Sequence, residues 1–122
     1  MVEKGLIIRK PWLDKIFQEG KRWEMRSTRT KVRGLIKLIE SGSGLIVGEC
    51  EISGCHKIDD REIEYMFCMH QVDDVGLLKR WCWAWELANV KKYNTPIPYQ
   101  HPRGAVIWVN LNKNSLKINR KG

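Results

Sequence analysis

Two apolar runs joined by a glycine–serine turn constrain the fold of this chain more than any other feature. The runs "GLIKLIE" (34–40) and "GLIVGECEIS" (44–53) have the length and the Leu, Ile and Val content of β-strands. The intervening "SGSG" (41–44) is typical of a flexible connection between the strands of a hairpin. The centre of the chain therefore predicts an antiparallel pair of strands.

The segments on either side of this hairpin add further strands and a few helices. Helices are predicted at "PWLDKIFQEG" (11–20) and "DDREIEYMFCMH" (59–70), and strands at "GLII" (5–8), "KRWEMRS" (21–27), "WCWAWELANV" (81–90) and "AVIWVNLN" (105–112). In the second helix, Ile63 and Phe67 are expected on the buried face, with Met66 as a further candidate. The three prolines of "NTPIPYQHPRG" (94–104) predict an ordered loop or an extended edge. Because helices and strands do not alternate regularly, the pattern predicts a mixed α+β fold: a small, mostly antiparallel β-barrel with two or three flanking helices.

The composition is that of one compact domain rather than two. A chain of 122 residues with 43% hydrophobic residues and six Trp can fill a single core. We expect the domain to span residues 1–112 and residues 113–122 to form a basic tail. No apolar run has the length of a membrane-spanning helix, and the first residues do not resemble a signal peptide, so a cytoplasmic protein is expected, or a nuclear one in a cell with a nucleus. Because no C-x-x-C pair occurs, no metal site is predicted, and no cofactor is expected either.

Charge is unevenly distributed along the chain, which has a formal net charge of +8. Residues 21–33 contain six Lys or Arg and a single acid, Glu24, whereas residues 59–74 contain six acids and a single Arg. This asymmetry predicts one basic face, which favours a polyanionic partner such as nucleic acid. Since no recognition-helix or zinc-finger pattern is present, RNA or a single strand is favoured over duplex DNA.

The lone acid lies in a strand that places it beside a cation. In "KRWEMRS" the period of two puts Glu24 and Arg26 on one face, with Lys21 at the preceding corner. A carboxylate accepts hydrogen bonds from the amino group of a base, and neighbouring cations bind phosphate. Two interpretations remain open: a ligand site formed by these three residues, or a structural ion pair that steadies the corner.

Other residues are candidates for the same interface, each with a structural alternative. Trp12 is placed either to stack on a base or to fill the core, and Lys10 lies beside it. The remaining candidates are basic, hydroxyl or ring side chains in loops, namely Arg29, Lys31, Arg33, Ser41, Tyr99, His101 and Arg103. They suit phosphate contacts or a cleft wall, but equally a solvated basic loop and turn scaffolds.

These stretches together resemble the ASCH domain, a branch of the PUA-like β-barrel superfamily. The resemblance rests on "KPW" before the first helix and on the family's Gly-x-Lys-x-x-Glu-x-Arg pattern, which occurs here as Gly20, Lys21, Glu24 and Arg26 within "GKRWEMR", with no residue between the Gly and the Lys. The segments "RGLIKLIESGSGLIVGECEI" and "HPRGAVIWVNL" resemble the strands that follow the motif and close the fold. The resemblance implies a cleft, lined by the first helix and the motif strand, that binds RNA or another nucleic acid.

The resemblance also leaves an enzymatic alternative open. Some members similar to this chain hydrolyse the acetyl amide of acetylcytidine with a Lys, a Thr and a Glu, and nuclease activity is known for others. In an enzyme of this kind, Lys21 and Glu24 would be the catalytic pair of a metal-independent hydrolase or ribonuclease. The position that matches Glu24 is the Thr in the amidohydrolase group, so the hydroxyl is missing here and a binding module is favoured.

Overall fold

The computed structural model describes residues 3–112. The elements are, in order, β1 (Glu3–Ile8), α1 (Lys10–Gln18), β2 (Trp23–Arg26), β3 (Gly34–Glu40), β4 (Leu45–Lys57), α2 (Asp60–Tyr65), α3 (Phe67–His70), a 3₁₀ helix (Val75–Lys79), β5 (Trp83–Pro98) and β6 (Trp108–Leu111). The predicted basic tail, 113–122, lies outside the described residues. No helix in the described part of the chain is long and apolar enough to cross a membrane.

The six strands form one mostly antiparallel sheet in the order β2-β5-β4-β3-β1-β6. The predicted hairpin is present as the antiparallel β3–β4 pair, in which Gly34 lies opposite Ile52. The parallel pair is β1–β3, since α1, β2 and the following loop carry the chain from one strand to the other. The mixed α+β fold with flanking helices is therefore confirmed.

The sheet is not closed, because no backbone ladder joins its outer strands β2 and β6 in the described structure. Side chains bridge the gap instead. The rings of Trp85 and Trp108 stack with centroids 5.7 Å apart and planes 11° from parallel. Arg26 Nη2 on β2 donates to Ile7 O on β1 at 2.9 Å. We call this side-chain closure between the β2–β5 pair and the β1–β6 pair the seam, since Trp85 lies on β5 and Trp108 on β6.

Helix α1 covers one end of the hydrophobic core. Pro11 occupies its first turn, where a missing N–H costs nothing, and Leu13 and Ile16 are buried against β-strand residues. The helix ends at Gln18, and Gly20 turns the chain with a φ of +75°, a conformation that glycine adopts without steric cost. The chain enters β2 directly after this corner.

Parts of the predicted secondary structure were wrong. The single helix expected over 59–70 is broken at Met66 into α2 and α3, and Phe67, expected to be buried, has 44% of its surface exposed. The Pro-rich segment, predicted as an ordered loop or an extended edge, is extended up to Pro98, where β5 ends paired with Leu45 of β4. Trp81 was predicted to begin the strand that corresponds to β5, but it precedes β5 and lies at the end of the 3₁₀-helical segment.

His56 joins α2 to the sheet through two carboxylates. Its Nδ1 and Nε2 each lie 2.8 Å from a carboxylate oxygen, of Glu86 on β5 and Glu62 on α2 respectively, and its ring packs edge-on against Trp23 of β2. Partial burial lowers the pKa of His56, but the hydrogen bonds and charges of the two carboxylates outweigh it and raise the pKa overall. A protonated imidazole donates to both acids at once.

We expect this arrangement to make the stability of the protein fall as pH rises. A raised folded-state pKa contributes stability that is fully present below the ordinary pKa of 6.5 and is lost as pH rises through the folded value. Urea unfolding at about pH 6 and about pH 8 measures the change in the free energy of unfolding. His56→Gln should reduce that change, and an equal pH dependence in the wild-type and variant proteins would contradict the prediction.

Candidate functional site

A cavity of about 390 Å³ opens along the seam, at the end of the sheet where α1 begins. Its walls come from β1, the start of α1, the corner and β2, the turn after β3, and the segments around residues 72, 81 and 106. The lining residues are Ile7, Arg9, Trp12, Lys21, Glu24, Met25, Arg26, Ser27, Ser41, Val72, Trp81, Val106 and Ile107. Five of the predicted site residues, Trp12, Lys21, Glu24, Arg26 and Ser41, are therefore brought together.

The corner between α1 and β2 is fixed by hydrogen bonds to backbone carbonyls on both sides. Arg22 Nη1 donates to Ile16 O at 3.0 Å, which satisfies a carbonyl near the end of α1. Arg22 N donates to Met69 O at 3.1 Å, and Gln71 Nε2 donates to Glu19 O at 2.6 Å. These bonds attach the corner to α3, so the residue between them, Lys21, points inward from a rigid backbone.

Lys21 is an almost fully buried cation, with 1% of its surface exposed. Its Nζ donates to His70 O and lies 5.0 Å from the centroid of the Trp12 ring. Burial lowers its pKa to about 8; the charge of Glu24 opposes this shift, and the charges of Lys15 and Arg26 add to it. Lys21 thus remains mainly charged at neutral pH but loses its proton more readily than an exposed lysine.

Among the described residues, only one of the two carboxylate oxygens of Glu24 accepts a hydrogen bond. The residue is 4% exposed, and its Oε2 accepts from Arg26 Nε at 3.1 Å. Its Oε1 is buried and has no hydrogen-bond partner among the described residues. A buried acceptor without a partner is costly, so a ligand that donates to Oε1 would gain that free energy. Glu24 therefore forms the predicted ion pair and also has an oxygen without a partner among the described residues, while the ligand site stays a prediction.

Two tryptophans and two aliphatic residues shape the rest of the cavity. Trp12 and Trp81 meet edge to face, with centroids 6.3 Å apart and planes 83° apart. Trp12 also packs partly against the core, as one of its two interpretations expected, and its ring borders the cavity, so stacking on a base stays a prediction. Val106 and Ile107, which are 76% and 43% exposed, form an apolar rim. The cavity thus offers aromatic and aliphatic walls around a charged floor.

A second depression, of about 430 Å³, contains the predicted phosphate-binding residues. It is lined by Arg29, Thr30, Lys31, Arg33, Cys55 and Trp83, and we call it the basic groove. None of its three cations forms an ion pair with a carboxylate in the described structure; Arg33 donates only to the carbonyls of Thr30 and Val32. The loop that follows β2 runs from Ser27 in the cavity to Arg33 in the groove, and Trp85 Nε1 holds it through Thr28 O at 2.8 Å.

The remaining predicted residues lie outside the cavity. Lys10 is exposed and pairs with Asp14 at 2.9 Å. Tyr99 is buried, and its hydroxyl lies 2.7 Å from His101 Nδ1, while His101 Nε2 donates to Ala105 O at 2.9 Å. These bonds brace the loop that carries the apolar rim. Arg103 is exposed and is not part of either depression.

Sequence reasoning missed two important lining residues. Arg9 lies between β1 and α1, directly before "KPW", and that junction at the start of a helix was the available signal. Trp81 was assigned to a strand face, because the alternation of three tryptophans extended the strand pattern too far. Within residues 3–112, no group of three or more His, Cys, Asp or Glu is arranged to hold a metal ion.

Comparison with known proteins identifies the family. A family model described as the ASCH domain matches residues 6–97. A crystal structure of a mutant ZmASCH protein from Zymomonas mobilis superimposes with a TM-score of 0.66 and 12% sequence identity, covering 92% of this chain and 91% of that chain. At this identity the likeness shows the fold alone. A search of curated proteins found no match. Since the family model spans most of the chain, and the fold agrees with it, this protein belongs to the ASCH domain family.

Proposed function

We propose that this protein is a nucleic-acid-binding module that takes one base of a single-stranded RNA into the cavity. The observation that carries the proposal is the buried, unpartnered Oε1 of Glu24 on the floor of an open cavity. The ASCH domain is a PUA-like fold that is often linked to RNA binding, which supports the same class of partner.

The cavity suits a flat ring that donates hydrogen bonds at its edge. Its volume lies near the lower end of the range for small-molecule sites, about 300–1,000 Å³. The exocyclic amino group of cytosine or adenine donates to a carboxylate, whereas the carbonyl at the matching position of uracil cannot. Trp12 or Trp81 offers a ring face or edge to the base, and a stacked base contributes about 1–3 kcal/mol.

The layout favours a single strand over a duplex. A base inside a duplex cannot enter a cavity unless it is flipped out, which costs a few kcal/mol, whereas a base in a loop or single strand is already free. The loop 27–33 leads from the cavity to the basic groove, so the strand on one side of the bound base would run along Arg29, Lys31 and Arg33. Phosphate contacts there would supply sequence-independent affinity.

Salt dependence of RNA binding tests this proposal. The purified protein should bind a labelled cytidine-rich single-stranded RNA, with an affinity that falls as salt rises. A combined Arg29→Ala, Lys31→Ala and Arg33→Ala variant should reduce the slope of log K against log salt by about two, since each lost phosphate contact on a single strand accounts for about 0.7 of a unit. Arg61→Ala with Lys79→Ala and Arg80→Ala removes as many charges elsewhere and should leave the slope unchanged. Equal slopes in the two triple variants would contradict a role for the groove.

One observation favours a second candidate, a small hydrolase of a modified nucleoside. Lys21 has a pKa lowered to about 8 by burial and shares the cavity with a carboxylate, as a general base or amine nucleophile requires. Incubation of the protein with acetylated cytidine separates the two functions. Turnover that is lost in both Lys21→Ala and Glu24→Ala would favour the hydrolase, and retention of RNA without turnover would favour the module.

A further inference from the structure

One cation of the cavity, Arg9, would have no role if the ligand were only a base. Arg9 lines the cavity, is exposed, and its side chain forms no hydrogen bond or ion pair with any described residue. Lys21 and Glu24, which line the same cavity, are buried. Arg9 therefore belongs to the outer, solvent-facing end of the cavity, and the carboxylate belongs to its floor.

The charges in the cavity do not balance. Three cations, Arg9, Lys21 and Arg26, line it together with one carboxylate, Glu24. Arg26 is paired with that carboxylate at 3.1 Å, which leaves Lys21 and Arg9 uncompensated. The first residue of α1 is adjacent to Arg9, so the positive end of the helix dipole adds to the excess. A neutral nucleoside would satisfy Glu24 but not this positive potential.

We propose that the cavity recognises a nucleotide rather than a bare nucleoside, with its phosphate held by Arg9 and Ser41 at the outer end. Ser41 lines the same cavity and has an exposed side chain, so its hydroxyl is available to donate to a phosphate oxygen. The buried, unpartnered Glu24 Oε1 fixes the opposite end of the ligand by accepting from the base. This inference rests on the proposed function and adds the phosphate as a required part of the ligand.

The phosphate has two sources with the same chemistry. It belongs either to a free nucleoside monophosphate or to one phosphodiester of an RNA strand. A guanidinium binds both through paired N–H···O bonds. Cytidine, cytidine 5′-monophosphate and a cytidine trinucleotide are therefore the probes, and tryptophan fluorescence is the readout because Trp12 and Trp81 line the cavity.

We expect at least one phosphate-bearing probe to bind about tenfold or more tightly than cytidine, since a charge-assisted hydrogen bond to phosphate has that effect. Arg9→Ala should remove this preference, so that the phosphate-bearing probes bind this variant no more than about twofold more tightly than cytidine does. Arg9→Lys, which keeps the charge, should restore part of it, and Arg61→Ala, an exposed arginine outside the cavity, should change nothing. The probe that shows the dependence on Arg9 identifies the source of the phosphate.

The possible failures are distinguishable. If cytidine binds and depends on Glu24, but neither phosphate-bearing probe binds more tightly, the role of Arg9 is refuted and the proposed function stands. A preference for phosphate that survives in Arg9→Ala refutes the role of Arg9 in the same way. If none of the three probes binds the wild-type protein, the inference and the proposed function are overturned together.

Discussion

Glu24→Ala should lower the affinity of the protein for cytidine by about 10- to 100-fold, because a hydrogen bond to a charged group contributes about 1.5–3 kcal/mol. The carboxylate oxygen that is free of Arg26 is also the one without a partner in the described structure. The loss of affinity should depend on the exocyclic amino group of the base, which cytidine has and uridine lacks. The wild-type protein should therefore prefer cytidine to uridine, and the variant should bind both equally. Titration calorimetry or tryptophan fluorescence measures both affinities.

A matched control removes the same side chain from another place. Glu64 is exposed on α2 and forms no ion pair in the described part of the chain, so Glu64→Ala should bind cytidine as the wild-type protein does. Thermal unfolding should first show that Glu24→Ala is folded, since Arg26 loses its carboxylate partner in that variant. An unchanged affinity and an unchanged preference for cytidine in folded Glu24→Ala would refute the base-binding role.

Trp85→Ala should reduce the free energy of unfolding by about 4 kcal/mol, within the range for removal of a buried large aromatic side chain. Trp85 is 3% exposed, and its ring stacks on Trp108 across the seam. The guanidinium carbon of Arg26 lies 5.3 Å from the Trp85 ring centroid, and Trp85 Nε1 donates to Thr28 O at 2.8 Å. The substitution therefore removes core volume, a ring stack and an attachment of the loop after β2 at once. Urea unfolding measures the change.

Two further variants separate these contributions. Trp85→Phe keeps a ring for Trp108 and Arg26 but leaves Thr28 O without its donor, so it should cost about 1–2 kcal/mol. Leu35→Ala, at a position that is 56% exposed, should cost less than about 0.5 kcal/mol. If Trp85→Ala were no more costly than Trp85→Phe, the ring stack would contribute little and the account of the seam would be wrong.

The sequence predicted the fold well wherever local patterns and tertiary packing agreed. The hairpin of β3 and β4 is set by two apolar runs and a glycine-containing turn, and α1 by Pro11, Leu13 and Ile16. The prediction failed where packing overrode local pattern. Helical spacing suggested that Phe67 was buried, but the break at Met66 rotates the next turn so that His70 is buried instead.

The site could be predicted only in part, for a related reason. Lys21, Glu24 and Arg26 are close in sequence, and strand periodicity places the last two side by side. Trp81 and Val106 reach the cavity from distant segments, and no local pattern encodes that proximity. The uncompensated oxygen of Glu24 is likewise a property of three-dimensional geometry, since the sequence shows a neighbouring cation but not which oxygen it satisfies.

The seam between the β2–β5 pair and the β1–β6 pair has a consequence for engineering. Backbone ladders specify strand register and resist insertion, but among the described residues this boundary is bridged by the Trp85–Trp108 stack and a guanidinium–carbonyl bond. We therefore expect that cavity residues at this boundary, such as Ser27 and Ile107, can be exchanged to change the size of the ligand without shifting any strand. Libraries that vary these two positions should yield folded proteins with new ligand preferences far more often than libraries that vary the paired positions of β3 and β4.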